Sequence, residues 1–193
     1  YVKQLPMQKN ILFKSLSFTY PGAGNEPVLE NIELLIPEKK VTAIVGSSGS
    51  GKTTLVKLLL KVYEQYNGEI RIGVHEDDNT QSSKQGVRFN FISHSYWRSV
   101  CGAVQQDGYI FNDTIAKNIA ISDEEIDYAR LIQSCQIANI HSFIESLPAG
   151  YYTKLGADGT GLSQGPKQRL LIARAVYKNP TYLFFDEATN ALD

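Results

Sequence analysis

Gly46-Ser47-Ser48-Gly49-Ser50-Gly51-Lys52-Thr53 is the stretch of this 193-residue chain whose residue types and spacing most directly imply chemistry. It fits GxxxxGK followed by Ser or Thr at every fixed position. Glycines at these places let the backbone turn tightly enough to aim several N–H groups at one anion. Lys52 adds a full positive charge placed to reach the β- and γ-phosphates of a nucleoside triphosphate, and Thr53 supplies a hydroxyl for Mg2+. A helix starting here would present its positive end to the same anion. The flanks have the order such a loop needs. Val41-Thr42-Ala43-Ile44-Val45 is apolar and β-branched and predicts a buried strand, and Thr54-Leu55-Val56-Lys57-Leu58-Leu59-Leu60-Lys61-Val62-Tyr63 predicts a buried helix.

Two further stretches carry chemistry. Tyr182-Leu183-Phe184-Phe185 is an apolar strand ending in Asp186-Glu187. An aspartate at the end of such a strand is placed to hold Mg2+. A glutamate directly after it can polarise an attacking water, and a positioned general base contributes roughly 10²–10⁴-fold in rate. Leu162-Ser163-Gln164-Gly165-Pro166-Lys167-Gln168-Arg169-Leu170 opens a strongly helical run, so Ser163 and the N–H groups near Gly165 make a second anion site at a helix N-terminus.

The elements that must position these residues follow in chain order. Leu16, Phe18 and Tyr20 share one face of a strand that Pro21-Gly22 ends, and Ile32, Leu34 and Ile36 alternate in the same way before a turn at Pro37-Glu38-Lys39-Lys40. The helix after the phosphate loop is expected to stop near Tyr66-Asn67-Gly68, and Glu69-Ile70-Arg71-Ile72 resumes a strand. Residues 75–86 are polar and aperiodic, so the acidic Glu76-Asp77-Asp78 reads as a solvated loop. Val100-Cys101-Gly102-Ala103-Val104 is a short core strand running into Gln105-Gln106-Asp107. From Asn112 the pattern becomes helical, with a capping box at Ser122 to Glu125 and an apolar stripe of Ile140, Phe143, Ile144 and Leu147 that Pro148 and Gly150 stop. A helical block between strands suggests a subdomain beside the main sheet, able to pivot on its two connections.

Bulk composition narrows the classes. A chain this long buries about 70% of its unfolded surface, and it needs no disulfides. Cys101 and Cys135 read as ordinary thiols of a reducing compartment. With 19 basic and 20 acidic residues, nothing marks a nucleic-acid surface. No apolar run approaches the roughly 20 residues that span a bilayer, so the stretch reads as soluble. His75, His94 and His141 have no metal-ligand spacing. The chain starts at Tyr1 and stops at Asp193 just after the acidic pair, and is expected to be a piece of something longer.

In order and spacing these motifs resemble ATP-binding cassette (ABC) proteins, and the resemblance covers essentially the whole chain. It implies an α/β fold: a P-loop NTPase core of parallel sheet and flanking helices, an antiparallel β subdomain and an inserted α-helical subdomain, C-terminally truncated. Residues 1–193 would form one ATP-binding domain, with the β subdomain and core in 1–111, the helical subdomain in 112–165, and the signature helix and last strand in 166–193. The resemblance implies that Tyr20 stacks on adenine and that Gly46, Ser47, Ser48, Gly49, Ser50, Gly51, Lys52, Thr53 and Thr54 hold the ATP phosphates. Thr53, Gln106 and Asp186 would hold Mg2+, and Glu187, Gln106 and Lys52 would be catalytic, although Gln105 stands next to Gln106 as an alternative. Ser163 and Gly165 would close over the nucleotide of a second copy paired head to tail, which Asn190-Ala191-Leu192-Asp193 would touch.

Departures from the family pattern set further expectations. The signature is usually Leu-Ser-Gly-Gly-Gln, and here Pro166 stands in it. If Ser163 is the N-cap, Pro166 at the third helical position removes an N–H the serine would accept from; if Gly165 is the cap, Pro166 is the first helical residue, where proline is favoured. Thr153-Lys154-Leu155-Gly156-Ala157-Asp158-Gly159 resembles the exporter segment that touches membrane helices, with Ala157 where an acid is usual. The family's later histidine at the γ-phosphate lies beyond Asp193, so this stretch is expected to bind ATP and Mg2+ better than it hydrolyses ATP.

Three functions follow from the resemblance. The first is the ATPase motor of a membrane exporter at the cytoplasmic face of the cell membrane, partnered by a transmembrane domain, with wording in residues 102–120 and 161–193 closest to bacterial peptide or bacteriocin exporters. The second is a soluble cassette acting on nucleic acid or ribosomes, against which the absence of a basic surface speaks. The third is a regulatory cassette that binds ATP without turnover, against which Glu187 speaks.

Overall fold

Alternating apolar residues in the first third of the chain build an antiparallel sheet. A computed structural model describes residues 2–22, 24–74, 86–105, 108–121, 123–159 and 161–186. The chain divides into two units, Tyr1–Ser99 and Val100–Asp193.

In the first unit β1 (Ile11–Phe18) pairs antiparallel with β2 (Leu29–Ile36) on one edge and β3 (Asn67–Ile72) on the other, and β4 (Val87–Arg88) extends β3. Ile11, Phe13, Leu16 and Phe18 are all buried, although Phe13 and Leu16 differ in parity. The reason is an irregularity between them: Ser15 has φ 48° and the register with β2 shifts there. Glu33 steadies the kink by accepting from Ser15 N–H at 2.7 Å and from its Oγ at 2.9 Å. Leu16 and Phe18 thus share the buried face as expected, whereas Tyr20 lies beyond the strand's end.

Two expectations fail in this unit. Residues 41–45 form no strand, and Val41 is fully exposed and Val45 88% exposed. A strand needs a hydrogen-bonding neighbour, and among the described residues the sheet order β2-β1-β3-β4 offers this run none. The helix after the loop, α1 (Lys52–Leu59), also stops well before Tyr66. Long-range contacts end it: the Trp97 indole N–H donates to Leu59 O at 2.5 Å, Lys61 turns left-handed at φ 54°, and Lys61 Nζ donates to Ile92 O at 2.6 Å. Trp97 sits in α2 (His94–Val100), fully buried and edge-on to Phe89.

In the second unit β5 (Cys101–Val104) and β6 (Tyr182–Phe185) pair in parallel, Val104 opposite Phe185. The helices are α3 (Ile115–Ile119), α4 (Tyr128–Ile137), α5 (His141–Ser146) and α6 (Gln164–Tyr177), and α6 packs on α3, α4 and β5. Ile115, Ile119, Leu131, Cys135, Ile144 and Leu170 form the core between them, each aliphatic side chain worth about 1.5–3 kcal/mol when removed from water. Ile140 and Ile144 are buried and Phe143 and Leu147 pack against them, as the apolar stripe requires. The expected capping box does not start this helical run. Asp127 caps α4 by accepting from Arg130 N–H at 3.1 Å, Ser122 lies outside the described residues, and Asp123 instead accepts from Arg130 Nη2 and Tyr177 OH, both at 2.6 Å. Antiparallel sheet, parallel sheet and helical block together give the expected α/β fold.

Candidate functional site

The phosphate loop is held by its own residues. Gly49 and Gly51 have φ 80° and 88°, values that side-chain-bearing residues rarely adopt, and a Cβ on Gly51 would stand 2.7 Å from Leu29 Cδ2. Ser50 N–H donates to Ser47 O at 3.2 Å, and Leu55 N–H donates to Gly51 O at 2.9 Å where α1 begins. Lys52 Nζ folds back into the loop, donating to Gly46 O at 2.9 Å and Ser47 O at 2.7 Å, with Ser50 Oγ at 3.4 Å. The first turn of α1 carries no acidic residue, so the positive end of the helix is left uncompensated. Apart from buried Gly51, the loop up to Lys52 is exposed. An ammonium on neutral carbonyls beside an exposed turn of N–H groups is suited to transfer to an anion.

Tyr20 stands beside this helix. Its hydroxyl and the Thr54 Oγ1 are 2.8 Å apart, and Thr54 is buried. The ring meets Phe18 edge-on at 5.0 Å and Tyr63 edge-on at 5.3 Å, and Phe18 and Tyr63 are themselves 5.4 Å apart. Nothing in the sequence marks Tyr63 as a site residue. Its signal there is weak, an aromatic at the tail of a predicted helix, and its position depends on where α1 stops.

The second unit holds Asp186 and the strand that runs into Gln105. β5 and β6 run in parallel and end level, and Asp186 N–H donates to Val104 O at 3.0 Å. Asp186 and Gln105 therefore leave the carboxyl ends of adjacent strands side by side. That is where ligands bind in open α/β sheets. Gln106, Glu187 and residues 190–193 lie outside the described residues, as do His75 and the acidic run 76–78. Ser163 is the N-cap of α6, with φ −72° and ψ 167°, and makes no side-chain capping bond. Pro166 consequently occupies the third helical position, and the first intrahelical bond runs from Lys167 N–H to Ser163 O at 3.1 Å. Of the two capping arrangements open in the sequence, the one with Ser163 as cap is present. Ser163 is exposed and Gly165 half-buried.

The ABC transporter family model matches residues 29–190. The chain belongs to the ABC transporter family. This ABC domain is 38% identical over 191 residues to the multidrug resistance protein pgp-1 of Caenorhabditis elegans, covering 99% of this chain and 14% of that protein. It is 41% identical over 191 residues to ABC transporter B family member 6 of Dictyostelium discoideum, covering 95% of this chain and 26% of that protein. Its fold is similar to that of a solved bacterial Atm1-family ABC exporter with ATP bound, at a TM-score of 0.85 and 35% identity over 98% of this chain and 31% of the other. The chain thus spans about a quarter or less of the length of these curated relatives.

Four further titratable groups of the ABC domain lie among the described residues away from the loop. Burial pushes the Cys101 thiol up to about 12 and raises that of Cys135, which suits inert side chains. His94 pairs with Glu64, and His141 lies 2.8 Å from Tyr151 OH and 3.3 Å from Glu145. In the exporter-like segment, Ile115 N–H donates to Thr153 O and Leu155 N–H to Asp113 O, both at 3.0 Å, so it is laced to the start of α3. Among the described residues no helix is long and apolar enough to cross a membrane.

Proposed function

We propose that this domain is the ATP-binding and ATP-hydrolysing motor of a membrane exporter. The observation that carries the reading is Lys52, its ammonium drawn into the loop at the start of α1, next to a helix that also anchors the Tyr20 ring. Lys52 exchanges the carbonyls of Gly46 and Ser47 for phosphate oxygens. The loop N–H groups of residues 46–53 and the hydroxyls of Ser47, Ser48 and Ser50 line the same anion, the Thr54 hydroxyl joins them on exchanging its contact with Tyr20 OH, and Tyr20 stacks on the base. Thr53, Asp186 and Gln106 offer the hard oxygen donors that suit Mg2+. When bound, the ion neutralises charge developing on the transferred phosphoryl group. Glu187 takes the proton of the attacking water, and Gln106 orients that water.

Ser163 and Gly165 serve the nucleotide of a second copy, paired head to tail, and closure of that pair drives a transmembrane domain at the cytoplasmic face of the membrane. The exporter assignment rests on the multidrug and Atm1-family relatives; peptide cargo rests only on the wording of residues 102–120 and 161–193. A regulatory cassette is favoured by one observation, the absence of a side-chain cap at Ser163. One experiment separates the two. In the full-length protein, Lys52→Ala abolishes ATP binding in either reading, whereas Glu187→Gln traps ATP and stops hydrolysis only in a motor. Unchanged hydrolysis in Glu187→Gln overturns the motor reading.

A further inference from the structure

We propose that Leu171 and Arg174 of α6 are positioning residues for Gln106, clamping the segment that follows it to the signature helix. The proposal rests on the motor reading above and assigns two residues that the sequence motifs pass over. The chain on either side of Gln106 and Asp107 is closed by Gly108 N–H donating to Gln105 O at 3.2 Å. From there the segment lies against α6 at two points. At Gly108 the backbone comes so near Leu171 that a Cβ would stand 2.5 Å from Leu171 Cδ1. One turn on, Arg174 Nη1 donates to Tyr109 O at 2.7 Å, its Nε to Asn118 O at 2.7 Å, and its Nη2 to Asn118 Oδ1 at 3.2 Å.

Leu171 and Arg174 are three residues apart and so share a helix face. Asn118 extends the clamp: it is fully buried, accepts from Phe111 N–H at 2.8 Å, and donates to Phe111 O at 2.9 Å and Thr114 O at 3.0 Å. The guanidinium lies over the Phe111 ring at 5.5 Å. Among the described residues its hydrogen bonds go to neutral oxygens, and burial lowers its proton affinity to about 10. Burying a cation is costly, and what it secures here is the backbone at Tyr109 together with Asn118 of α3. Ser163 starts the same helix, about 16 Å away at 1.5 Å per residue. A displacement of the signature end, such as pairing with a second copy would impose, therefore reaches the residues flanking Gln106 through a rigid rod.

The test uses the full-length protein with Arg174→Lys, which keeps the charge but loses the fork, and Gly108→Ala, which pushes the segment off Leu171. Both should lower kcat about tenfold, a modest misplacement cost, leave KM for ATP within about twofold, and raise the Mg2+ needed for half-maximal rate several-fold. Without nucleotide, amide exchange across residues 108–118 should quicken about tenfold while that of α1 stays unchanged. Unchanged exchange in that segment, or a raised KM with kcat kept, overturns the proposal. If Arg174→Lys does not fold, Gly108→Ala alone carries the same expectations. Failure of the motor reading looks different: the unmutated protein would not hydrolyse ATP, while the exchange experiment would still report whether the clamp exists.

Discussion

The phosphate loop at Lys52 and the strand end at Asp186 differ in what holds them. The loop is closed by partners within eight residues, Lys52 on Gly46 and Ser47 and Ser50 on Ser47. Asp186 is placed by Val104, far away in sequence, through a parallel strand pair whose packing depends on α6 and the helical core. A locally closed motif carries its geometry with its residues. A motif made by strand pairing inherits its geometry from everything that packs around it.

Substitutions can break or sharpen that contrast. The largest effect is expected from Asp186→Asn, which should reduce ATP turnover by several hundredfold or more, since metal placement is worth several kcal/mol. ATP affinity measured by calorimetry should stay within about threefold, and a matching loss of affinity would show that the two halves are not separable. Gly51→Ala comes next. It forces a side chain onto φ 88° and towards Leu29 and Val28 O, a strain of about 1–3 kcal/mol, so nucleotide affinity should fall by about ten- to a hundredfold. Intact affinity would refute a backbone-determined loop.

Smaller effects probe residues at the margins of each half. Tyr20→Ala should weaken ATP binding about tenfold through lost stacking, worth about 1–3 kcal/mol. Tyr20→Phe keeps the ring and loses only the Thr54 hydroxyl contact, and should cost about threefold. Equal losses in a fluorescent-nucleotide titration would mean that the hydroxyl, not the ring, is what matters. Pro166→Gln restores an N–H at the third position of α6, which Ser163 can then cap. A cap is worth about 0.5–2 kcal/mol, so ATP-dependent pairing followed by sedimentation should tighten between about twofold and thirtyfold. No tightening would remove Pro166 from any account of closure.

Legibility followed the same divide. The turn from Gly46 to Gly51 and the helix start at Ser163 agree with the sequence because each is specified by its neighbours, whereas the apolar run 182–185 shows in the sequence as a strand but takes its place only by pairing with β5. The stretch 41–45 was misread because an apolar, β-branched run says nothing about whether a partner strand is available. The length of α1 was misread because Trp97 and Lys61, not a Gly or Asn stop, set its end. Asp127 caps α4, a cap the sequence does not single out beside the Ser122 to Glu125 box, whose first residue lies outside the described residues. Tyr63, Leu171, Arg174 and Asn118 carry no motif of their own, and only their partners make them informative.

The sequence by itself determined the family and the places of the candidate site residues in the chain. A lysine after a glycine turn, an acid after an apolar strand and a serine at a helix start are local patterns, read by local sterics and charge. Tertiary structure alone decided which ring backs Tyr20, where α1 stops, and that the segment after Gln106 is bolted to α6. Those outcomes depend on contacts between residues distant in sequence. Their free energies appear only once the core has brought the residues together.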